Sequence, residues 1–291
     1  MEKGLFRFLQ RVTSDDAGDF LSRISFAPSS YGLFRQEDGK ASMVDDFSMP
    51  DFDLVYMAAG TSRITSEEGV YTVRRGGFFL IEPFKLYSAQ CLPGANVSYY
   101  YAHFDIEPGF LRGAYLRAVT GGGIPLFEPG ELPDFFESFS AMDGERGKLG
   151  FTAVLQSYLK IVSAYMMRAR QSLLERQRSV GKPASDSDLS LLAQALEYVD
   201  EHAAEPINLE KLSAAMGVSY SSLYKLFMRI LHEPPSKYIM RRKLAAADRL
   251  LRQSGCTVTE AAGRLGFSSA SHLSSQFKKY LGHSPSETPR R

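Results

Sequence analysis

The stretch AAGRLGFSSASHLSSQFKKYLGHSP, residues 261–285, decides the fold. It opens with small and apolar residues at helical spacing, breaks at Gly266, and restarts behind serines. Leu273, Phe277 and Leu281 then recur at intervals of four before Gly282 and Pro285 end the run. A short helix, a turn opening on glycine and a second amphipathic helix make the helix-turn-helix plan. Glycine suits the position just past the first helix, where the chain turns left-handed, and the serine that follows can cap the free N–H groups of the second helix.

The same plan occurs upstream. Leu209–Pro235 lies over Val258–Pro285 at an offset of 49 residues, which becomes 50 after one insertion in the second copy. Gly217-Val218-Ser219 faces Gly266-Phe267-Ser268, and Leu223, Phe227, Leu231 and Pro235 face Leu273, Phe277, Leu281 and Pro285. Asn208 and Thr257 stand where the opening helices need N-caps. Leu212, Ala215, Val218, Leu223 and Phe227, with Ala261, Leu265, Phe267, Leu273 and Phe277 in the second copy, form the small cores where paired helices cross. Ser236–Gln253 reads as one connecting helix, with Tyr238, Leu244, Ala247, Leu250 and Leu251 inward and Lys237, Arg241, Arg242, Lys243 and Arg249 largely outward. Its length, about 25 Å at ~1.5 Å per residue, suits two recognition helices held in successive major grooves roughly 34 Å apart.

These residues resemble the AraC/XylS family of bacterial transcription regulators, over about residues 191–290. The family's second-copy signature stands here as Ala261-Ala262, Leu265-Gly266-Phe267, Phe277-Lys278-Lys279 and Gly282-His283-Ser284-Pro285. His232, Met228 and Lys243 depart from the family's glycine, lysine and arginine, departures that bear on affinity and local packing. By position, the first recognition helix turns Tyr220, Ser221, Tyr224 and Lys225 toward the groove, with Arg229 further along for phosphate. The second turns Ser269, Ser271, Ser274 and Ser275. Lysine can donate to guanine acceptors, serine serves most base edges, and a tyrosine ring can pack on a thymine methyl. Lys278 and Lys279 suit phosphate, which positions without specifying sequence.

Charge points the same way. Residues 206–291 hold 14 Lys and Arg against 5 Asp and Glu, a net +9, while the rest of the chain carries −8. A basic domain on an acidic body suits a polyanionic partner.

Before residue 178 the pattern is different. Short apolar runs at Asp53–Ala59, Val70–Val73, Phe78–Ile81 and Val97–Asp105, separated by glycine and proline turns, read as strands of a sandwich or barrel. Amphipathic helices follow, the first with Leu132, Phe135, Phe136 and Phe139 on one stripe. The second, Leu149–Arg178, carries Leu155, Tyr158, Leu159, Val162, Tyr165 and Met166, and a homodimer seam is one use for it. The polar segment 179–187 reads as the linker. The expected fold class is therefore α+β in two domains: residues 1–178, a β-barrel with following helices for ligand sensing and dimerisation, and residues 188–291, all-α with two helix-turn-helix units.

The first domain resembles the cupin-type sensor half of sugar-responsive members of the same family, over about residues 20–110. Tyr99, Tyr101 and His103 share one face of their strand, and aromatic rings beside polar groups suit a neutral carbohydrate. Tyr56, Glu82, Tyr87 and Arg35 are further candidates for that pocket. Cupin metal sites need two or three histidines with a carboxylate. His103 is the one histidine before residue 200, and Tyr87 stands where metal-binding cupins carry histidine. No metal, cofactor or enzymatic activity is therefore expected. Cys91 and Cys256, the two cysteines, fit neither a disulfide framework nor a metal knuckle.

With 44% hydrophobic and 23% charged residues, no apolar run near the ~20 residues of a membrane span and no secretory signal pattern, a cytoplasmic protein without membrane contact is expected. The expected function is a ligand-responsive DNA-binding regulator, and the family resemblance implies an activator, with RNA polymerase as its partner in that case. The competing readings are a constitutive DNA binder whose barrel only dimerises and a cupin enzyme with a DNA-binding appendage.

Overall fold

The computed structural model describes residues 8, 12–13, 15–37, 42–94, 96–176, 185–203, 205–231, 233–253 and 256–287. Most of the expected linker, and the departure at His232, lie outside the described residues. The chain divides into two compact units. One comprises Val12–Glu107 and Ala114–Val180; the other comprises Met1–Arg11, Pro108–Gly113 and Gly181–Arg291.

The first unit is built on two antiparallel sheets. Strands β1 (Ser25–Gln36), β8 (Val97–Glu107), β3 (Phe52–Ala59), β6 (Phe78–Ile81) and β9 (Leu126–Phe127) form the larger, in that order. Strands β2 (Ser42–Phe47), β7 (Tyr87–Cys91), β4 (Thr61–Ser66) and β5 (Gly69–Arg74) form the smaller. Their inner faces share a core of Val55, Met57, Phe79, Ile81 and Val97 against Ile64, Tyr71, Val73, Tyr87 and Cys91. The outer face of the larger sheet is also covered. Phe139 of α3 (Phe136–Asp143) stacks on Tyr56 and Tyr100 with ring centroids 5.0 and 5.6 Å apart. Tyr115 of α2 (Arg112–Thr120) meets Phe52 and Phe104 edge-on. A strand covered on both sides loses its polar alternation, which is why β3 reads as a near-continuous apolar run.

Helix α1 (Ala17–Arg23) precedes the sheets. The long helix expected over Leu149–Arg178 is divided. Helix α4 runs Phe151–Ala169 and α5 runs Gln171–Arg176. At the break, the Arg170 guanidinium donates to the Leu126 carbonyl and to the Glu131 carboxylate, each at 2.6 Å.

The second unit is helical: α6 (Asp186–Glu201), α7 (Leu209–Ala215), α8 (Tyr220–Ile230), α9 (Pro235–Gln253), α10 (Val258–Arg264) and α11 (Ala270–Leu281). Leu212, Leu223, Phe227, Leu244, Ala247, Ala261, Leu265, Leu273 and Phe277 are buried, whereas Ala215, expected in the core, is exposed at the end of its seven-residue helix. The 3-10 turn Gly109–Leu111 belongs to this unit and packs on α6, with Phe110 and Leu111 buried. A Cβ added at Gly109 would meet the Asp200 carboxylate and lie 2.7 Å from the Arg242 guanidinium. Asp200 itself pairs with Arg242 at 2.5 Å and accepts from the Tyr238 hydroxyl at 3.3 Å. Among the described residues, no helix is long and apolar enough to cross a membrane.

Candidate nucleic-acid interface and sensor face

Each helix pair is locked by its own sequence. Gly217 and Gly266 sit at φ +65° and +69°, the left-handed region where an L side chain is strained. The Asn208 carboxamide oxygen accepts from the Lys211 N–H at 2.9 Å and so caps α7. Thr257 and Glu260 form a reciprocal capping box at the start of α10. Ser219 caps α8 through the Ser222 N–H at 3.2 Å. In the second copy the cap is Ser269, which takes the His272 N–H at 3.0 Å, and not Ser268, the serine directly after the Gly-Phe pair. The inserted residue has moved the cap by one position.

These caps and cores decide which side chains remain outward. On α8, Leu223, Leu226, Phe227 and Ile230 are buried, leaving Tyr220, Ser221, Tyr224, Lys225 and Arg229 exposed. Tyr220 and Tyr224 are 54% and 38% exposed and stack on each other with centroids 6.3 Å apart. Met228, read in the sequence only as a departure, continues the same exposed stripe. On α11, Ser271, Ser275, Lys278 and Lys279 are exposed and Ser274 is half-buried, while the Ser269 oxygen is occupied as a cap. Arg229 pairs with Asp188 at the start of α6, 2.7 Å away.

Helix α9 differs from expectation in which basic residues it exposes. Arg242 and Lys243 are each only 8% exposed. Arg242 is held by Asp200. Lys243 lies over the Phe267 ring at 5.8 Å, and burial pushes its ammonium pKa below the ordinary lysine range. Arg241 pairs with Glu233 at 2.7 Å. The basic residues of α9 that are exposed are Lys237 and Arg249.

In the sheet unit, Tyr99, Tyr101 and His103 do share a face of β8, and it is the face turned toward the smaller sheet. All three are half-buried, and Tyr99 stacks on Phe34 at 4.8 Å. Asp53 is placed directly opposite His103 by the β3–β8 register, an acid that the sequence reading did not select. The His103 ring lies between two carboxylates, Nδ1 at 3.6 Å from Asp51 and Nε2 at 3.8 Å from Asp53. Asp53 is buried, and that burial pushes its carboxyl pKa up; His103 opposes the shift and Asp51 adds to it.

The other pocket candidates lie elsewhere. Tyr56 pairs across the sheet with Tyr100, not with Tyr99 or Tyr101, so it points to the opposite face, where its hydroxyl donates to Asp134 at 2.7 Å. Arg35 is exposed and out of phase with Phe34. Tyr87 fills the inter-sheet core, its hydroxyl accepting the Glu82 N–H at 3.3 Å. Glu82 pairs with Lys85 at 2.9 Å and lines a separate groove of about 900 Å³ with Tyr71, Arg117 and Thr120. Cys91 and Cys256 are free and buried.

Comparison with known proteins adds the following. A helix-turn-helix domain family matches residues 212–291. The transcriptional activator RhaS of Salmonella schwarzengrund is 30% identical over 196 residues, which is 67% of this chain and 60% of that protein. The transcriptional regulator GbdR of Pseudomonas aeruginosa is 33% identical over 94 residues, 32% of this chain and 26% of that protein. The chain thus spans about a quarter of the length of GbdR and less than two thirds of RhaS. Among solved structures, ToxT from Vibrio cholerae superposes with a TM-score of 0.55 at 12% identity, covering 90% of this chain and 96% of that one. ToxT bound to an unsaturated fatty acid gives the same score over 94% of its chain. At that identity the likeness is one of fold.

Proposed function

We infer that the chain, whose residues 212–291 match a helix-turn-helix domain family and which is 30% identical to the activator RhaS over 196 residues, is a ligand-responsive, sequence-specific DNA-binding regulator of the AraC/XylS type and not an enzyme. One observation carries this reading: two capped helix pairs, each turned by a left-handed glycine, present exposed polar and basic faces on α8 and α11. Tyr220, Ser221, Tyr224 and Lys225 read base edges in one major groove, and Ser271 and Ser275 in the next, while Lys278 and Lys279 hold phosphate.

The sheet unit is the sensor. Its half-buried aromatic and polar face, with Tyr99, Tyr101 and His103, suits a small polar effector, of which carbohydrates are one class. ToxT, its structural relative, binds a fatty acid in one of its solved forms, which supports a small-molecule effector without naming it. Ligand then shifts the population competent for DNA, and effector and operator affinities are coupled reciprocally. Activation is supported by the likeness to RhaS, a transcriptional activator, and RNA polymerase is the partner such a role would need. The stripe expected as a homodimer seam is largely spent inside the unit, with Leu155, Leu159, Val162 and Met166 buried, so a homodimer through α4 would have to use its other side, where Val154 and Ile161 are exposed two turns apart.

The test is binding of the full chain to its own upstream DNA at fixed salt, with and without a panel of small polar molecules including mono- and disaccharides. A shift in apparent Kd on adding one of them supports the sensor. Tight binding that responds to none identifies a constitutive regulator.

A further inference from the structure

We propose that α8 selects its half-site by thymine methyl groups: Tyr220, Tyr224 and Met228 form an apolar row that packs on the 5-methyls of a thymine-bearing tract of about four base pairs, while α11 carries no such row. This rests on the DNA-binding reading above and adds to it which bases the first helix pair prefers and which way round the chain lies on its operator.

Three observations meet here. The first is where the apolar exposure lies. Among the described residues of the helical unit, the large apolar side chains that are exposed are Tyr220, Tyr224 and Met228, and all three are on α8. Single exposed apolar residues are ordinary on a protein surface, whereas a contiguous set marks a contact. The second is its order. The three residues are four apart, so they succeed one another along one side of the helix. The Tyr220 and Tyr224 rings are stacked, with centroids 6.3 Å and planes 12° apart, so they are already held as a pair. At ~1.5 Å per residue the row is about 12 Å long, the length of three to four base-pair steps of ~3.4 Å. Met228 stands where the AraC/XylS family carries lysine, so the row has gained an apolar member in place of a charge.

The third is what borders the row. Ser221, Lys225 and Arg229, each one residue on from a member, form a parallel polar row that is exposed as well. An apolar row beside a polar one matches the mixed surface of a major groove, where the thymine 5-methyl is the one apolar substituent that a base pair displays. A phosphate offers nothing to a ring face or a thioether, so these side chains gain contact where methyl groups line the groove. On α11 the exposed residues are Ser271, Ser275, Lys278 and Lys279. The two half-sites therefore differ, and the thymine-bearing one marks the position of α8.

The experiment is fluorescence anisotropy of the full chain, at fixed salt, on the footprint within its upstream DNA, with thymines replaced one at a time by uracil, which pairs identically and lacks the methyl. Replacement is expected to weaken binding about fourfold per contacted methyl, in a tract confined to one half of the footprint. Tyr224→Ala should bind the thymine and uracil forms of that tract alike. Tyr224→Phe, which keeps the ring, should still tell them apart, and the exposure of the site means that both variants keep the wild-type unfolding temperature. Met228→Ala should lose the uracil response at one end of the tract alone. Uracil without effect anywhere, with cognate DNA still preferred over random DNA, overturns methyl reading and keeps the regulator. A uracil response that survives in both Tyr220→Ala and Tyr224→Ala places methyl reading elsewhere in the chain, and variants that bind every DNA as the wild type does give the row to a protein partner; either result overturns the proposal. Binding that does not prefer cognate over random DNA overturns the sequence-specific reading itself.

Discussion

Lys225 is exposed on α8 one turn beyond Ser221, and the proposed function assigns its ammonium to a guanine edge. Lys225→Ala should cost about 1–3 kcal/mol on the cognate site and little on random DNA. Lys278→Ala should weaken both alike and lower the salt slope by about one; fluorescence anisotropy over a salt series separates the two outcomes. Asp53 gives a prediction on pH. Its carboxyl pKa is raised in the folded chain, so the stability it contributes is present below the ordinary carboxylate range and lost as pH rises through the raised value. Asp53→Asn escapes that loss and should melt at a higher temperature than wild type at pH 8, with the gap closing at pH 4. At this scale the sequence told which residues of β8 share a face, because alternation is local. It could not tell that Tyr56 lies on the other side and Asp53 on the same one, because that is set by the pairing of β3 with β8, and register between strands is a nonlocal property.

Elements were legible where their ends are chemical. The caps at Asn208 and Thr257 and the turns at Gly217 and Gly266 stood in the sequence and stand in the structure. The two glycines differ, however, in what surrounds them. A Cβ at Gly217 meets open space, whereas one at Gly266 would lie 2.6 Å from Pro206 Cβ. Gly217→Ala should therefore cost only the left-handed strain, about 1–2 kcal/mol, and Gly266→Ala distinctly more, as thermal unfolding of the two variants will show. Strands β1, β2, β4, β7 and β9 were not read. SMVDDF and TSRITS contain no apolar run, because β2 buries none of its residues and β4 buries only Ser62 and Ile64, on one face. The division of the long helix at Arg170 also escaped, since the partners that hold it, Leu126 and Glu131, are some forty residues away.

For the whole molecule, the change from period two to helical period and the split of charge announced a β-rich unit and a helical one. Effector and operator should be coupled: an effector that tightens operator binding by some factor must itself bind tighter, by the same factor, in the presence of operator DNA. Calorimetric titration in both orders measures this. What linear reading missed is Pro108–Gly113. A boundary drawn once along the sequence, at residues 179–187, cannot show that six residues from the first half of the chain fold with the last hundred.

That segment changes what a protease could do to the molecule. The helical unit is discontinuous, with Phe110 and Leu111 inserted in its interior from a loop anchored at both ends in the other unit. A single nick in residues 179–187 would break the chain without freeing the C-terminal piece, which would still grip that loop. The two fragments should elute together from a sizing column and part only in denaturant, and Phe110→Ala, deleting a buried ring worth about 3–5 kcal/mol, should let them part without it.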